Sequence, residues 1–320
     1  MRGIAILMVI GIHSLPQPLH SWEILADACL RPCVPIFLFA SGYLTALSGR
    51  VPLGKRLKAA IIPYVIAFVA AYIYMAMHNP AMDHRIATTL ARFVLGYVFV
   101  YYYVFVYVGC TLGLWLVYAV AGSDTEQSER RLVVVLLLAI GLGLIVGSYL
   151  DPLLFRLGYS DSLIEEVRMR DIPFWFCFAA LGALIGLSGT RSGLADMRTL
   201  MSGAALFACI IYAAVRLFVL GDAADYDSVA FFGYAALLCI LLLALGVQLP
   251  FVAALGSGSY FIYLWHIFIV MMLRDYAELH QFGAVADFAI TYAATASGSI
   301  LALLAVREIA PPRMIRWLGA

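Results

Sequence analysis

The chain has 320 residues, of which 64% are apolar and 12% charged, and its formal net charge is +1. A mean hydropathy of +0.97 over 35.0 kDa excludes a soluble domain, because apolar runs near the ~20 residues that cross a ~30 Å hydrocarbon core recur along the whole length. A charge so close to zero selects no partner, and no nucleic-acid partner is expected.

The pattern predicts an all-α, polytopic membrane bundle of about ten spans, at about 2–17, 28–48, 59–78, 101–121, 132–150, 172–188, 199–220, 228–247, 251–273 and 284–306. The first begins on Arg2 and carries His13. Eleven residues at 100° each bring the two onto one face to within roughly 20°, about 16 Å apart along the axis. Groups this costly to bury in a membrane mark functional sites. The stretch lacks a charged lead-in beyond Arg2 and a small-residue cleavage site, so it is expected to be retained as a span. In the second span, Ser41-Gly42 suits close helix packing. Between the third and fourth, residues 86–100 with Arg92 are expected to form an interfacial amphipathic helix. Tyr101, Tyr102, Tyr103 and Tyr107 then suit an aromatic belt, with a sugar-binding platform as the minority alternative. The longest polar insertion runs from Asp151 to Asp171 on the outer side, and the ninth span holds a second intramembrane histidine, His266. Arg31, Arg216 and Asp287 lie near outer span ends, where snorkelling accounts for them.

Loop charges orient the bundle. Arg50, Lys55, Arg56 and Lys58, then Arg130 and Arg131, then Arg191 and Arg198, then Arg307, Arg313 and Arg316 fall on alternate connections. The opposite loops carry Glu23 and Asp27, Glu165 and Glu166, Asp222, Asp225 and Asp227, and Asp275 and Glu278. Both termini are therefore expected in the cytoplasm, with Arg2 at the inner surface and His13 in the outer half.

The chain reads as one domain spanning residues 1–320, multi-pass in a cell membrane. Its six cysteines suggest neither a disulfide framework nor a metal site, since Cys29 and Cys33 are one helical turn apart and the others sit singly within spans. No phosphate-binding glycine loop, GxSxG elbow or HExxH helix is present. A secondary transporter or flippase is the competing class, although the Arg-to-His spacing has no repeat in the second half, and transporters of that kind are built from repeats. A non-catalytic scaffold is the third.

Five segments in order resemble acyltransferase family 3, the bacterial integral-membrane O-acyltransferases. They are the Arg-x10-His of Arg2 and His13; Val34-Pro-Ile-Phe-Leu-Phe-Ala-Ser-Gly-Tyr43; Lys55-Arg-Leu-Lys-Ala-Ala-Ile-Ile-Pro-Tyr64; Ile172-Pro-Phe-Trp-Phe-Cys-Phe-Ala-Ala-Leu-Gly182; and Gly258-Ser-Tyr-Phe-Ile-Tyr-Leu-Trp-His266. Each alone is mostly apolar; together they cover essentially the whole chain. The resemblance implies transfer of an acyl group, commonly acetyl, from cytoplasmic acyl-CoA to hydroxyls of sugars or envelope glycans, with no tightly bound cofactor.

The implied roles are specific. His13 would be the catalytic base or acyl relay. Arg2, Lys55, Arg56 and Lys58 would hold the CoA phosphates. Members usually carry Arg-x-x-Arg in that cluster, whereas alignment on Ile62-Pro-Tyr64 puts Arg56 on the first arginine and Ala59 on the second. A lysine does not reproduce a bidentate guanidinium fork. A pantetheine arm of roughly 15–20 Å, about half the ~30 Å core, would bring the thioester near His13. Ser41, Tyr260, Tyr263 and His266 are candidates to stabilise the tetrahedral oxyanion, and Arg31, Tyr260 and Tyr263 to hold a carbohydrate or glycolipid acceptor.

Overall fold

In the computed structural model, the residues described are 1–98, 100–122, 126–189, 196–220, 229–246 and 249–320; the expected loop charges Arg191, Asp222, Asp225 and Asp227 lie outside them. The helices are α1 (Arg2–Ser14), α2 (Ser21–Leu30), α3 (Cys33–Ser48), α4 (Leu53–His78), α5 (Ile86–Leu95), α6 (Tyr102–Ala121), α7 (Glu126–Arg156), α8 (Asp161–Met169) and α9 (Ile172–Leu187). They continue as α10 (Arg198–Val215) with a π turn (Arg216–Leu220), α11 (Val229–Leu245), α12 (Pro250–Ser257), α13 (Ser259–Tyr276), a 3-10 turn (Leu279–Phe282), α14 (Ala284–Ile309) and α15 (Pro312–Leu318). No strand occurs among the described residues.

Seven helical stretches among them are long and apolar enough to cross a membrane, and α12 with α13 makes an eighth that is broken by 79°. Each of the ten expected spans falls on a helix, but α1 has 13 residues and α11 has 17, short of the ~20 that a straight crossing takes. Leu15-Pro16 stops α1, since proline disfavours helical geometry in the residue before it. In α7 just 22% of the most apolar window is buried, and Leu137, Leu138, Leu142 and Ile145 face outward. A surface like this is stable against lipid and not against water.

The chain folds into two compact units, each assembled from separated segments: residues 20–53 with 106–249 (and Met1), and residues 2–19, 54–105 and 250–320. The first is built on α3 and α9, which pack along their lengths. A Cβ added at Gly42 would stand 1.8 Å from the Ala179 carbonyl oxygen, and one at Gly182 2.1 Å from that of Phe39. The reciprocal glycines let the two backbones touch, as Ser41-Gly42 led one to expect. Asp171 caps α9 by accepting a hydrogen bond from the Phe174 amide. Trp175, Phe174, Phe178, Phe231 and Tyr212 pack behind it as an aromatic core. Arg216 does not snorkel: it is fully buried, and its Nη2 donates to Asp27 Oδ2 at 2.8 Å, the same oxygen that receives Arg31 Nε at 2.7 Å. The six cysteines are free, and Cys29 and Cys209 sulfurs lie 3.7 Å apart.

In the second unit α1 packs against α12, α13 and α14. The expected amphipathic segment is the helix α5, and its first turn is held by Asp83, which accepts from the Arg85 guanidinium and from the Thr88 hydroxyl. Arg85 beside it keeps the Asp83 carboxyl well below the usual carboxylate range. The tyrosine belt requires correction at two of its four residues, Tyr102 and Tyr107 being half-buried. Tyr101 and Tyr103 are buried, and Tyr101 Oη donates to the Leu264 carbonyl at 2.8 Å. Tyr101, in the α5–α6 connection, and Tyr103, in the first turn of α6, are pins against α13.

Candidate active site

The site grows from the bend at Gly258. An added Cβ there would meet the Leu303 side chain at 2.2 Å, so α13 starts directly against α14. α1 is seated on the bend with equal closeness, a Cβ at Gly3 falling 2.1 Å from the Val252 carbonyl oxygen. From that foot α1 and α13 rise side by side. His13, ten residues above Gly3, meets His266, eight residues above Gly258, with ring centroids 5.4 Å apart and planes tilted by 40°.

His266 is fully buried. Its Nδ1 lies 3.0 Å from the Ile262 carbonyl oxygen and 2.9 Å from that of Tyr263. A carbonyl only accepts, so Nδ1 carries the proton, and in the neutral tautomer Nε2 is the lone-pair nitrogen. Among the described residues that buried Nε2 has no hydrogen-bond partner. His13 is half-buried. Its backbone is held by Arg274, whose Nη2 donates to the carbonyls of His13 at 2.9 Å and Leu15 at 2.8 Å. These are orphan carbonyls at the C-terminus of α1, where a cation is favoured.

Basic groups gather at the foot. The Arg2 Cβ lies 3.5 Å from the position a Cβ would take at Gly256, and Arg307 Nη2 donates to Ser257 Oγ at 3.1 Å. Tyr260 Oη donates to the Ala60 carbonyl at 2.6 Å, which brings the first turns of α4, with Arg56 one turn earlier, to the same end. Lys55, Lys58 and Ala59 are exposed there, and Arg56 is half-buried. Along one face of α14, Thr291, Thr295, Ser299 and Leu303 are buried at four-residue intervals, and Asp287 Oδ1 accepts from Thr291 Oγ1.

Thus His13, His266, Arg2, Arg56, Tyr260 and Tyr263 belong to one unit. Tyr260 and Tyr263 spend their protons on backbone, the latter donating to the Val100 carbonyl at 2.5 Å. Ser41 and Arg31 lie in the other unit, where Ser41 is buried in α3 and Arg31 is paired with Asp27. Sequence reasoning passed over Arg274 and took Arg307 for a loop charge. The signal for Arg274 was its place two turns beyond His266 on the same helix.

A family model described as an acyltransferase domain matches residues 1–305. No curated protein and no solved structure matches. The match spans nearly the whole sequence and takes in every motif segment from Arg2 to His266, so the chain belongs to acyltransferase family 3.

Proposed function

We propose that this chain transfers an acyl group, acetyl in the first instance, from cytoplasmic acyl-CoA to a hydroxyl of a cell-envelope sugar or glycolipid. The observation that carries the proposal is the His13–His266 pair, two imidazoles 5.4 Å apart above a foot lined by Arg2, Arg56 and Arg307. Guanidinium groups suit the CoA phosphates, and the foot is taken to face the cytoplasm in line with the loop charges.

His13 acts as the base. As it takes the acceptor's hydroxyl proton, the oxygen attacks the thioester carbonyl and a C–O bond forms. The C–S bond then breaks, and the imidazolium returns the proton to the departing thiolate, so that ester and free CoA result. His266 offers its Nε2 lone pair beside the reacting groups, and its tethered Nδ1 fixes the orientation of the ring. Arg274 keeps His13 in register. Positioning of this kind matters because a misplacement of about 1 Å costs about 100-fold in rate.

The test is thiol release by the purified protein with acetyl-CoA and a panel of glycan acceptors. Release of free CoA that requires both protein and acceptor supports the reading. A transporter or flippase would release none, and the absence of any acyl-CoA turnover across the panel would overturn it.

A further inference from the structure

Ester formation places negative charge on the thioester carbonyl oxygen, and three of the groups first considered as donors are already engaged. Tyr260 and Tyr263 donate to backbone carbonyls, as does His266 Nδ1, which leaves His266 Nε2 an acceptor. Two other hydroxyls stand ready. Thr295 is 0% and Ser299 2% exposed, and among the described residues neither Thr295 Oγ1 nor Ser299 Oγ has a hydrogen-bond partner. Helical serines and threonines usually return their proton to the carbonyl four residues back. Ser14, Thr45 and Ser297 do so here at 2.7 Å each. A buried hydroxyl that forgoes this bond is costly unless something else receives its proton.

Their height in the bundle says what that is. Leu303 sits against Gly258, and Ile269 against Gly298, so α14 descends as α13 rises. Thr295 is eight residues above Leu303 and His266 eight above Gly258, each a climb of about 12 Å. Counting from the first contact sets His266 beside Thr295 and counting from the second sets it beside Leu301, so Thr295 and Ser299 both fall in the stretch of α14 that runs alongside His266, on its buried face. Two hydroxyls and one imidazole nitrogen without hydrogen-bond partners among the described residues thus lie along the same stretch of one unit.

We propose that Thr295 and Ser299 form the oxyanion hole, their hydroxyls donating to the thioester carbonyl oxygen as the tetrahedral intermediate forms. The inference rests on the acyl-transfer reading and adds the donors that reading lacks. The bonds that form and break are those already given; the hydroxyls keep their protons throughout.

The experiment has two arms. In the first, kcat and the donor KM are measured for Thr295→Val, Ser299→Ala and Thr295→Ser, with thermal unfolding in detergent as the folding check. Loss of one donor should lower kcat by about 100-fold or more with donor KM changed less than about threefold, and Thr295→Ser should recover most of the rate. In the second, a 13C-labelled ketone analogue of acetyl-CoA, with methylene in place of sulfur, is bound and its carbonyl stretch recorded. The band should move to lower frequency in the wild type and revert toward its free position in Thr295→Val and Ser299→Ala. This arm needs no turnover, so it distinguishes a failed oxyanion hole from a failed acyl-transfer reading. Absence of analogue binding would overturn the acyl-transfer reading and the proposal with it, whereas an unmoved carbonyl band in the bound wild type, or folded variants that keep kcat within about threefold, would overturn the oxyanion hole alone.

Discussion

Arg274 offers a direct perturbation of the site without touching either histidine. One of its nitrogens bridges the carbonyls of His13 and Leu15 at 2.9 and 2.8 Å. A hydrogen bond to a charged group contributes about 1.5–3 kcal/mol, and two sharing one nitrogen together contribute about 2–3 kcal/mol. The sequence after Leu15 is Pro-Gln-Pro, so helix does not continue to hold those carbonyls once the guanidinium is gone. Arg274→Leu should therefore let the last turn of α1 fray and take His13 out of line. At 1.4 kcal/mol per decade, that lowers kcat by about 30–140-fold, with donor KM changed less than about threefold because the basic foot is at the other end of α1. Arg274→Lys, which keeps a charge but on a more compact and strongly hydrated group, should fall between Leu and the wild type. The assay is free-thiol release at saturating acetyl-CoA, with the detergent melting temperature confirming fold. Retention of kcat within about threefold in Arg274→Leu would refute the claim that this residue holds His13.

Two further predictions concern packing and donor binding. Gly42→Ala places a Cβ 1.8 Å from the Ala179 carbonyl oxygen, so α3 and α9 must part by more than about 1 Å at a cost of about 1–3 kcal/mol or more; an unchanged melting temperature in detergent would contradict the close approach. Arg56→Ala should raise donor KM with kcat preserved, and Ala59→Arg should lower donor KM by about tenfold, as expected for one added charge-assisted contact of about 1–2 kcal/mol. If both changes leave KM where it was, this cluster sets topology and CoA is held elsewhere.

The parts legible in the sequence are those written in local periodicity. Helices such as α4, α7 and α14 announce themselves as long apolar runs, and the phase of Arg2 and His13 puts both on one face. The break at Gly258 was hidden because composition is apolar on both sides, and only the 79° turn exposes it. Burial of Arg216 was hidden for a different reason. Its partner Asp27 is 189 positions away, and no local pattern encodes a pairing across that distance. Tyr101 misled because an aromatic at a span end suits an interface as well as a core; its hydroxyl bond to Leu264 decides between them. Thr295 and Ser299 were readable as a four-residue stripe on α14, but nothing in the sequence says that their hydroxyls forgo the usual backbone bond. The grouping of α1 with α12–α14 likewise joins segments some 250 residues apart, a matter of tertiary packing alone.

The central claim is that His13 and His266 form one catalytic centre, and the most direct measurement is kcat for His13→Ala, His266→Ala and the double variant in folded, purified protein. Removal of the base should lower kcat by about 10²–10⁴-fold. His266→Ala should produce a comparable fall, and the double variant should be little worse than His13→Ala, because residues acting as a unit are not additive. Full activity in His266→Ala, or losses that multiply in the double variant, would contradict a shared centre.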